Sequence, residues 1–175
     1  MSDFAGVHPA LSAALTAKGY ETLTPVQMAV IANELGQSDA LVSAQTGSGK
    51  TVAFGLALAE GLLGSTDKFE PTDKPLALII APTRELAMQV KAELMWLYAG
   101  TGARFASCVG GMDVRTEARA LDRGAHIVVG TPGRLRDHIE RNRIDLSQIQ
   151  AVTLDEADEM LDLGFREDLE FILSK

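Results

Sequence analysis

The 175-residue chain has a single cysteine, Cys108, and only three histidines. One thiol excludes an internal disulfide and suits a reducing compartment, so a cytoplasmic protein is expected. It sits in Ala106-Ser107-Cys108-Val109, which reads as buried strand, and no chemistry is assigned to it. Histidines this few and this scattered offer no zinc-ligand spacing. No apolar run approaches the ~20 residues of a membrane-spanning helix. The start, Met-Ser-Asp-Phe, lacks a basic region followed by an apolar stretch, so no secretory leader is expected. Positive charge is in deficit, with a net charge of −8. A stand-alone nucleic-acid binder usually carries a basic footprint; this balance limits affinity but leaves phosphate contacts at helix N-termini open. Internal repeats and low-complexity tracts are absent as well. The apolar share of 46% is that of an ordinary globular protein, and the length suits one domain with a full core.

Two strings carry chemistry. Ala44-Gln45-Thr46-Gly47-Ser48-Gly49-Lys50-Thr51 is a glycine-rich turn placed between a strand-like run, Ala40–Ser43, and a helix-like one from Val52 to Leu63. In that context backbone N–H groups converge on phosphate oxygens, Lys50 reaches the outer phosphates and the Thr51 hydroxyl ligates Mg²⁺. The general pattern begins with glycine, whereas this chain has Ala44. The second string, Asp155-Glu156-Ala157-Asp158, follows the apolar run Ala151–Leu154. Carboxylates at the end of a buried strand can hold the same metal and orient a water. Alone, a glycine-rich turn is often only a turn and an acidic cluster only a solvated loop. Together they predict binding and hydrolysis of a nucleoside triphosphate.

The rest of the chain alternates. Short apolar runs at Ala40–Ser43, Leu76–Ala81, Arg104–Val109, His126–Gly130 and Ala151–Leu154 are separated by helical periodicity. Leu86, Val90, Leu94 and Leu97 share one helix face; so do Val114, Ala118 and Leu121, and Leu135 with Ile139. Strand runs without polar alternation suit a parallel sheet covered on both faces, hence an α/β fold with ligands beyond the carboxyl ends of the strands. Two helices are expected before the first strand, one around Pro9–Lys18 stopped by Gly19, and one from Pro25 capped by Thr24. The polar stretch Gly64–Pro75 reads as a surface loop.

These strings, with those that follow, resemble the first RecA-like domain of a DEAD-box ATP-dependent RNA helicase over nearly the whole chain. Asp155-Glu156-Ala157-Asp158 is the string that names that family. Gly19-Tyr20-Glu21-Thr22-Leu23-Thr24-Pro25-Val26-Gln27 is similar to its adenine-recognition motif, in which the glutamine bonds the adenine edge and an aromatic packs on the ring. An amide offers one donor and one acceptor, matching the N6/N7 edge of adenine. The resemblance implies ATP and Mg²⁺ as ligands, with Tyr20, Thr22, Gln27 and residues 44–51 around the nucleotide. It further implies Thr51 and Asp155 on the metal, Lys50 on the phosphates, Glu156 on the attacking water, and Asp158 linking the site to neighbouring motifs. Pro82-Thr83-Arg84, Gly110-Gly111 and Thr131-Pro132-Gly133-Arg134 match the motifs that contact the RNA backbone, with the arginines partly structural.

The resemblance sets further expectations. It divides the chain into an N-terminal helical segment, 1–35, with the adenine motif, and an ATP-binding domain, 36–175. A second RecA-like domain, absent here, would supply transition-state arginines, and the partners would include RNA and proteins of ribosome assembly or RNA degradation, with no membrane. The general cast is closest to bacterial cold-shock or ribosome-assembly helicases. The family's phenylalanine upstream of the adenine motif falls near Ser2 here, so either Phe4 or Tyr20 takes that role. The chain stops before the family's Ser-Ala-Thr motif, so a truncated sheet is expected, with unpaired backbone in mid-sheet and rearrangement or strand donation as its remedy. A DNA helicase of the same superfamily and an ATP-dependent RNA clamp that holds without unwinding stay as alternatives. Asp158 in place of histidine, with Gln27, argues against the first.

Overall fold

The computed structural model describes residues 4–32 and 38–175. Its elements are α1 (Pro9–Ala17), α2 (Pro25–Ala32), α3 (Lys50–Leu63), β1 (Ala77–Ile80), α4 (Arg84–Leu97), β2 (Phe105–Cys108), α5 (Val114–Asp122), β3 (Ile127–Gly130), α6 (Pro132–Glu140), β4 (Ala151–Leu154), α7 (Ala157–Asp162) and α8 (Arg166–Leu173). They fall into two compact units, Met1–Phe69 with Glu93–Ala103, and Glu70–Ala92 with Arg104–Lys175.

The second unit holds a four-stranded sheet in the order β2-β3-β1-β4. Every pairing is parallel, with Ala77 beside both Ile127 and Ala151, and Phe105 beside Ile127. Parallel neighbours require crossovers, which the intervening helices supply. The central strands β1 and β3 are buried at every residue, the expected outcome of their unbroken apolar runs. One sheet face, formed by Leu78, Ile80, Ala106, Cys108 and Val128, packs with Leu121 of α5, Leu135 and Ile139 of α6, Met160 of α7 and Leu169 and Ile172 of α8. Gly130 is required by that packing: a Cβ there would lie 2.5 Å from the Cys108 carbonyl oxygen and 2.7 Å from Leu135 Cγ. At the sheet edge, β4 pairs with β1 and with no other strand among the described residues. Val152 on it is 41% exposed.

The run Ala40–Ser43, expected as the strand before the glycine-rich turn, is not a strand. Leu41 is 98% exposed. An apolar run forms a strand only where a neighbour completes its backbone ladder, and among the described residues this run has no such neighbour.

In the first unit, α1 starts at Pro9 with His8 as its cap, the His8 Nδ1 accepting from Ala10 N–H at 3.3 Å. It ends at Ala17, followed by Gly19 at φ +91°. α3 packs tightly on the last turn of α4: a Cβ at Gly55 would lie 2.7 Å from Leu94 and 2.8 Å from Leu97 side-chain atoms. The buried Tyr98 hydroxyl donates to the Gly55 carbonyl at 2.6 Å, and the Tyr98 ring stacks on Phe69. Phe4 is buried; Ser2 and residues 33–35 lie outside the described residues.

His126 precedes β3 and is a buried tie within the second unit. Its Nδ1 accepts from Arg104 N–H at 2.9 Å and its Nε2 donates to the Glu70 carbonyl at 2.8 Å. That pattern requires the neutral ring. Burial, reinforced by the Arg104 charge, lowers its pKa below the ordinary 6.5, although the bond to Glu70 opposes the shift. A depressed histidine pKa means the unfolded chain takes up the proton first, so stability is full above about 6.5 and is lost as pH falls below it. In urea titrations from pH 7.5 to 5, the native chain should lose more stability than His126→Gln. Equal losses would show that His126 protonation does not drive acid unfolding.

Candidate functional site

The first unit contains the glycine-rich turn. Gly47 and Gly49 sit at φ +79° and +86°, left-handed conformations that a side chain would strain. Ser48 N–H bonds the Gln45 carbonyl at 3.2 Å and closes the turn. α3 begins at Lys50 with Gly49 as its cap, and glycine has no side chain to satisfy the first N–H groups. The Ser48 hydroxyl is buried and has no partner among the described residues. Uncapped donors and an orphaned hydroxyl, with Lys50 and Thr51 in the first turn, make this loop suited to a polyphosphate. Ala44 is half-buried, while Gln45, Thr46 and Gly47 are exposed.

The expected adenine motif lies in the same unit and is bonded to that loop. Thr24 and Gln27 form a reciprocal cap at the start of α2: Thr24 N–H donates to Gln27 Oε1 at 2.9 Å, and Gln27 N–H to Thr24 Oγ1 at 3.4 Å. Gln27 is fully buried, and its Nε2 donates to the Gly49 carbonyl at 3.2 Å. The loop therefore has no room for a side chain at Gly49, where a Cβ would lie 2.5 Å from that nitrogen. Tyr20 is half-buried and its ring lies 5.9 Å from that of Trp96, over which Lys18 Nζ sits at 5.2 Å. Burial raises the Tyr20 pKa, the Glu93 charge adds to this, and a hydrogen bond with Gln27 opposes it. Thr22 is exposed. Trp96 was not legible as a site neighbour, because it lies on α4, far from Tyr20 along the chain.

In the second unit the other motifs follow the ends of the four strands. After β1, Pro82 is buried and Thr83 Oγ1 accepts from Leu86 N–H at 3.2 Å, capping α4. Arg84 is exposed and lies so close to Gly111 that a Cβ there would sit 2.8 Å from its Nη1. After β2, Gly110 and Gly111 are exposed, the latter at φ +82°. After β3, Thr131 caps α6 without a side-chain bond to it, Pro132 fills the first position and Gly133 is exposed. Arg134 is drawn inward: its Nη1 donates to Glu117 Oε1 at 2.8 Å and to the Met112 carbonyl at 3.1 Å.

Glu117 is the polar centre of this end of the unit. It is 2% exposed, and its Oε2 accepts from Val109 N–H at 2.7 Å while Oε1 also meets His138 Nε2 at 2.9 Å. Burial alone would raise its pKa; the bonds from His138, Val109 N–H and Arg134 outweigh it and hold the group below the usual carboxylate range. Cys108, Glu117 and His138 have ligand atoms within 4.8 Å of one another. Both Glu117 oxygens are already engaged, an arginine stands beside them, and burial pushes the Cys108 thiol up, so this is a hydrogen-bonded hub rather than a metal site. Sequence reasoning missed it. The available sign was a charged residue on the helix face of Val114, Ala118 and Leu121, where periodicity points inward.

After β4, Asp155 N–H continues the ladder to the Ile80 carbonyl at 2.9 Å, and Asp155 is buried. Glu156 takes φ +54°, an uncommon conformation for a non-glycine residue, and opens α7. Asp158 is exposed. The Glu159 carboxyl is raised by its hydrogen bond to Glu156, by burial and by the charges of Glu156, Asp158 and Asp162. Such mutual repulsion is relieved by a cation.

The buried Gln27 amide generates a prediction. Gln27→Ala leaves the Thr24 N–H and the Gly49 carbonyl without these partners, which should cost about 1–3 kcal/mol in urea unfolding. No measurable loss would mean that water replaces the amide at no cost.

Residues 24–175 match the family described as DEAD/DEAH box helicase. The chain is 45% identical over 164 residues to the DEAD-box ATP-dependent RNA helicase CshA of Bacillus licheniformis, covering 94% of this chain and 32% of that protein. It is 43% identical over 164 residues to the protein of the same name from Bacillus subtilis, with the same coverage. The chain thus spans about a third of the length of these curated relatives. A solved DEAD box protein from the hyperthermophile Methanococcus jannaschii superposes with a TM-score of 0.82 at 37% identity, covering 96% of this chain and 44% of that one. With the fold, the glycine-rich turn and the acidic string in place, the chain belongs to the DEAD/DEAH box helicase family.

Proposed function

We propose that the chain is the ATP-binding, RNA-contacting first lobe of an ATP-dependent RNA helicase, with residues 1–35 carrying the adenine motif and 36–175 the RecA-like domain. The observation that carries this reading is the bond from Gln27 Nε2 to the Gly49 carbonyl, which joins a base-reading amide to a phosphate-ready loop. The Gln27 side-chain amide is the group that reads adenine, with Tyr20 and Thr22 beside it. N–H groups of residues 44–51 take the phosphates, and Lys50 neutralises the outer two.

The Thr51 hydroxyl in the first turn of α3 and the Asp155 carboxylate after β4 are hard oxygen donors of the kind Mg²⁺ prefers. When bound, Mg²⁺ would offset charge on the phosphate oxygens. Glu156 orients the attacking water and accepts its proton, and Asp158 links the nucleotide site to neighbouring motifs. Pro82, Thr83, Arg84, Gly110, Gly111, Thr131, Pro132, Gly133 and Arg134 form the RNA-backbone surface, with Arg134 Nη1 already committed to Glu117 and Met112. Contacts to the RNA backbone carry no sequence information, so the surface accepts any sequence. A second RecA-like domain completes the enzyme and supplies transition-state arginines. ATP and RNA both favour the closed arrangement, so each tightens the other and closure opens a short duplex. Proteins of ribosome assembly or RNA degradation are the proposed partners. The single buried thiol supports a cytoplasmic setting, and no helix among the described residues is long and apolar enough to cross a membrane.

Calorimetric titration with ADP and GDP in Mg²⁺ tests the reading. ADP should bind at least about ten-fold tighter than GDP, since a site built to hydrogen-bond one base leaves groups unpaired with the other. Lys50→Ala should abolish measurable binding while the chain still melts cooperatively. Equal affinity for the two nucleotides would overturn the adenine assignment.

A further inference from the structure

The glycine pair after β2 has no side chain with which to anchor itself, and Gly111 stands at φ +82°. Something else must hold the loop. The Glu117 carboxylate does so at both ends. Its Oε2 takes the Val109 N–H, immediately before Gly110, at 2.7 Å. Its Oε1 takes Arg134 Nη1 at 2.8 Å, and the same nitrogen donates to the carbonyl of Met112, immediately after Gly111, at 3.1 Å. Residues 109–112 are thereby closed into a ring through one carboxylate and one guanidinium. Because Arg134 lies in the first turn of α6, the ring also joins this loop to Thr131-Pro132-Gly133. His138, fully buried one turn further along α6, bonds Glu117 Oε1 at 2.9 Å and stops the carboxylate from turning away.

We infer that Glu117 is a positioning residue for RNA: its buried carboxylate holds the Gly110–Gly111 loop and the start of α6 in fixed register, so that their backbone N–H groups meet consecutive phosphates. This rests on the proposed RNA-backbone role of those two motifs. Fixing the loop in advance removes an ordering cost from RNA binding. Arg134 then acts on RNA through the loop that it clasps.

The sign of one mutational effect separates this from simple electrostatics. Glu117→Gln removes a negative charge, which by Coulomb attraction alone would tighten binding to an anionic strand. A positioning role predicts the reverse. Glu117→Asp keeps the charge but is one methylene too short to reach Val109, Arg134 and His138 together, so it should weaken binding as well.

The experiment titrates a fluorescein-labelled single-stranded oligouridylate with the 175-residue chain, reading anisotropy at several salt concentrations. Glu117→Gln and Glu117→Asp are compared with Arg84→Ala and Thr131→Ala, and each variant is also titrated with ADP and melted. Glu117→Gln should bind the RNA about ten-fold more weakly, the scale expected for ordering a short loop on binding. Its salt slope should be shallower by about 0.7 for each phosphate that the loop no longer neutralises. ADP affinity should be unchanged, and amide hydrogen exchange should quicken at residues 109–112. Equal or tighter RNA binding by Glu117→Gln, while Arg84→Ala and Thr131→Ala weaken it, would overturn the positioning role and leave the RNA surface intact. Loss of cooperative melting in both Glu117 variants would make the residue a stability element and overturn the role too. RNA binding that is absent, or indifferent to Arg84→Ala and Thr131→Ala, would remove the RNA surface itself and the inference with it.

Discussion

A parallel ladder cannot be closed by a tight hairpin, and the second unit depends on that constraint. Each strand must be followed by a crossover that returns the chain to the far end of the sheet. The segments that follow β1, β2, β3 and β4 consequently leave from one end of one sheet. Those segments are Pro82-Thr83-Arg84, Gly110-Gly111, Thr131-Pro132-Gly133-Arg134 and Asp155-Glu156-Ala157-Asp158. Strings separated by about seventy positions of sequence become neighbours through hydrogen bonding of apolar strands that carry no chemistry themselves. Burial of β1 and β3 at every residue is what makes this placement rigid.

Rigidity of the strands does not extend to their loops. A glycine pair supplies the backbone freedom that a phosphate contact requires, and for the same reason it supplies no anchor. In this chain the anchor is a buried ionised carboxylate. A group of this kind is costly to bury and survives because every oxygen has a donor: Val109 N–H on one, Arg134 and His138 on the other. The first unit uses the same device with a neutral group. Gln27 is buried, bonded to Thr24 within its own helix start and to Gly49 in the glycine-rich turn. In both units a buried polar side chain sets the shape of a glycine loop whose own residues could not.

Local patterns and their failures divide along physical lines. Four of the five strand runs and the helices at Thr83–Tyr98 and Pro25 were readable because periodicity and capping are local properties. Ala40–Ser43 is as apolar as Ala151–Leu154 and is no strand, since composition cannot say whether a ladder partner is present. Arg134 reads in the sequence as a backbone contact with a partly structural role, but its partner could not be named: its Nη1 meets Glu117, seventeen positions away. Trp96 beside Tyr20 was equally out of reach of any local reading.

By itself the sequence determined which strings mark the helicase family, and where strands and helices alternate, because those depend on residue type and spacing over a few positions. Only the tertiary structure decided which buried polar groups hold the loops. Glu117, His138 and Arg134 meet because α5 and α6 both pack against β2, and Gln27 meets Gly49 because α2 packs on α3. Those contacts join residues far apart in sequence, and their strength comes from burial, which no spacing rule encodes.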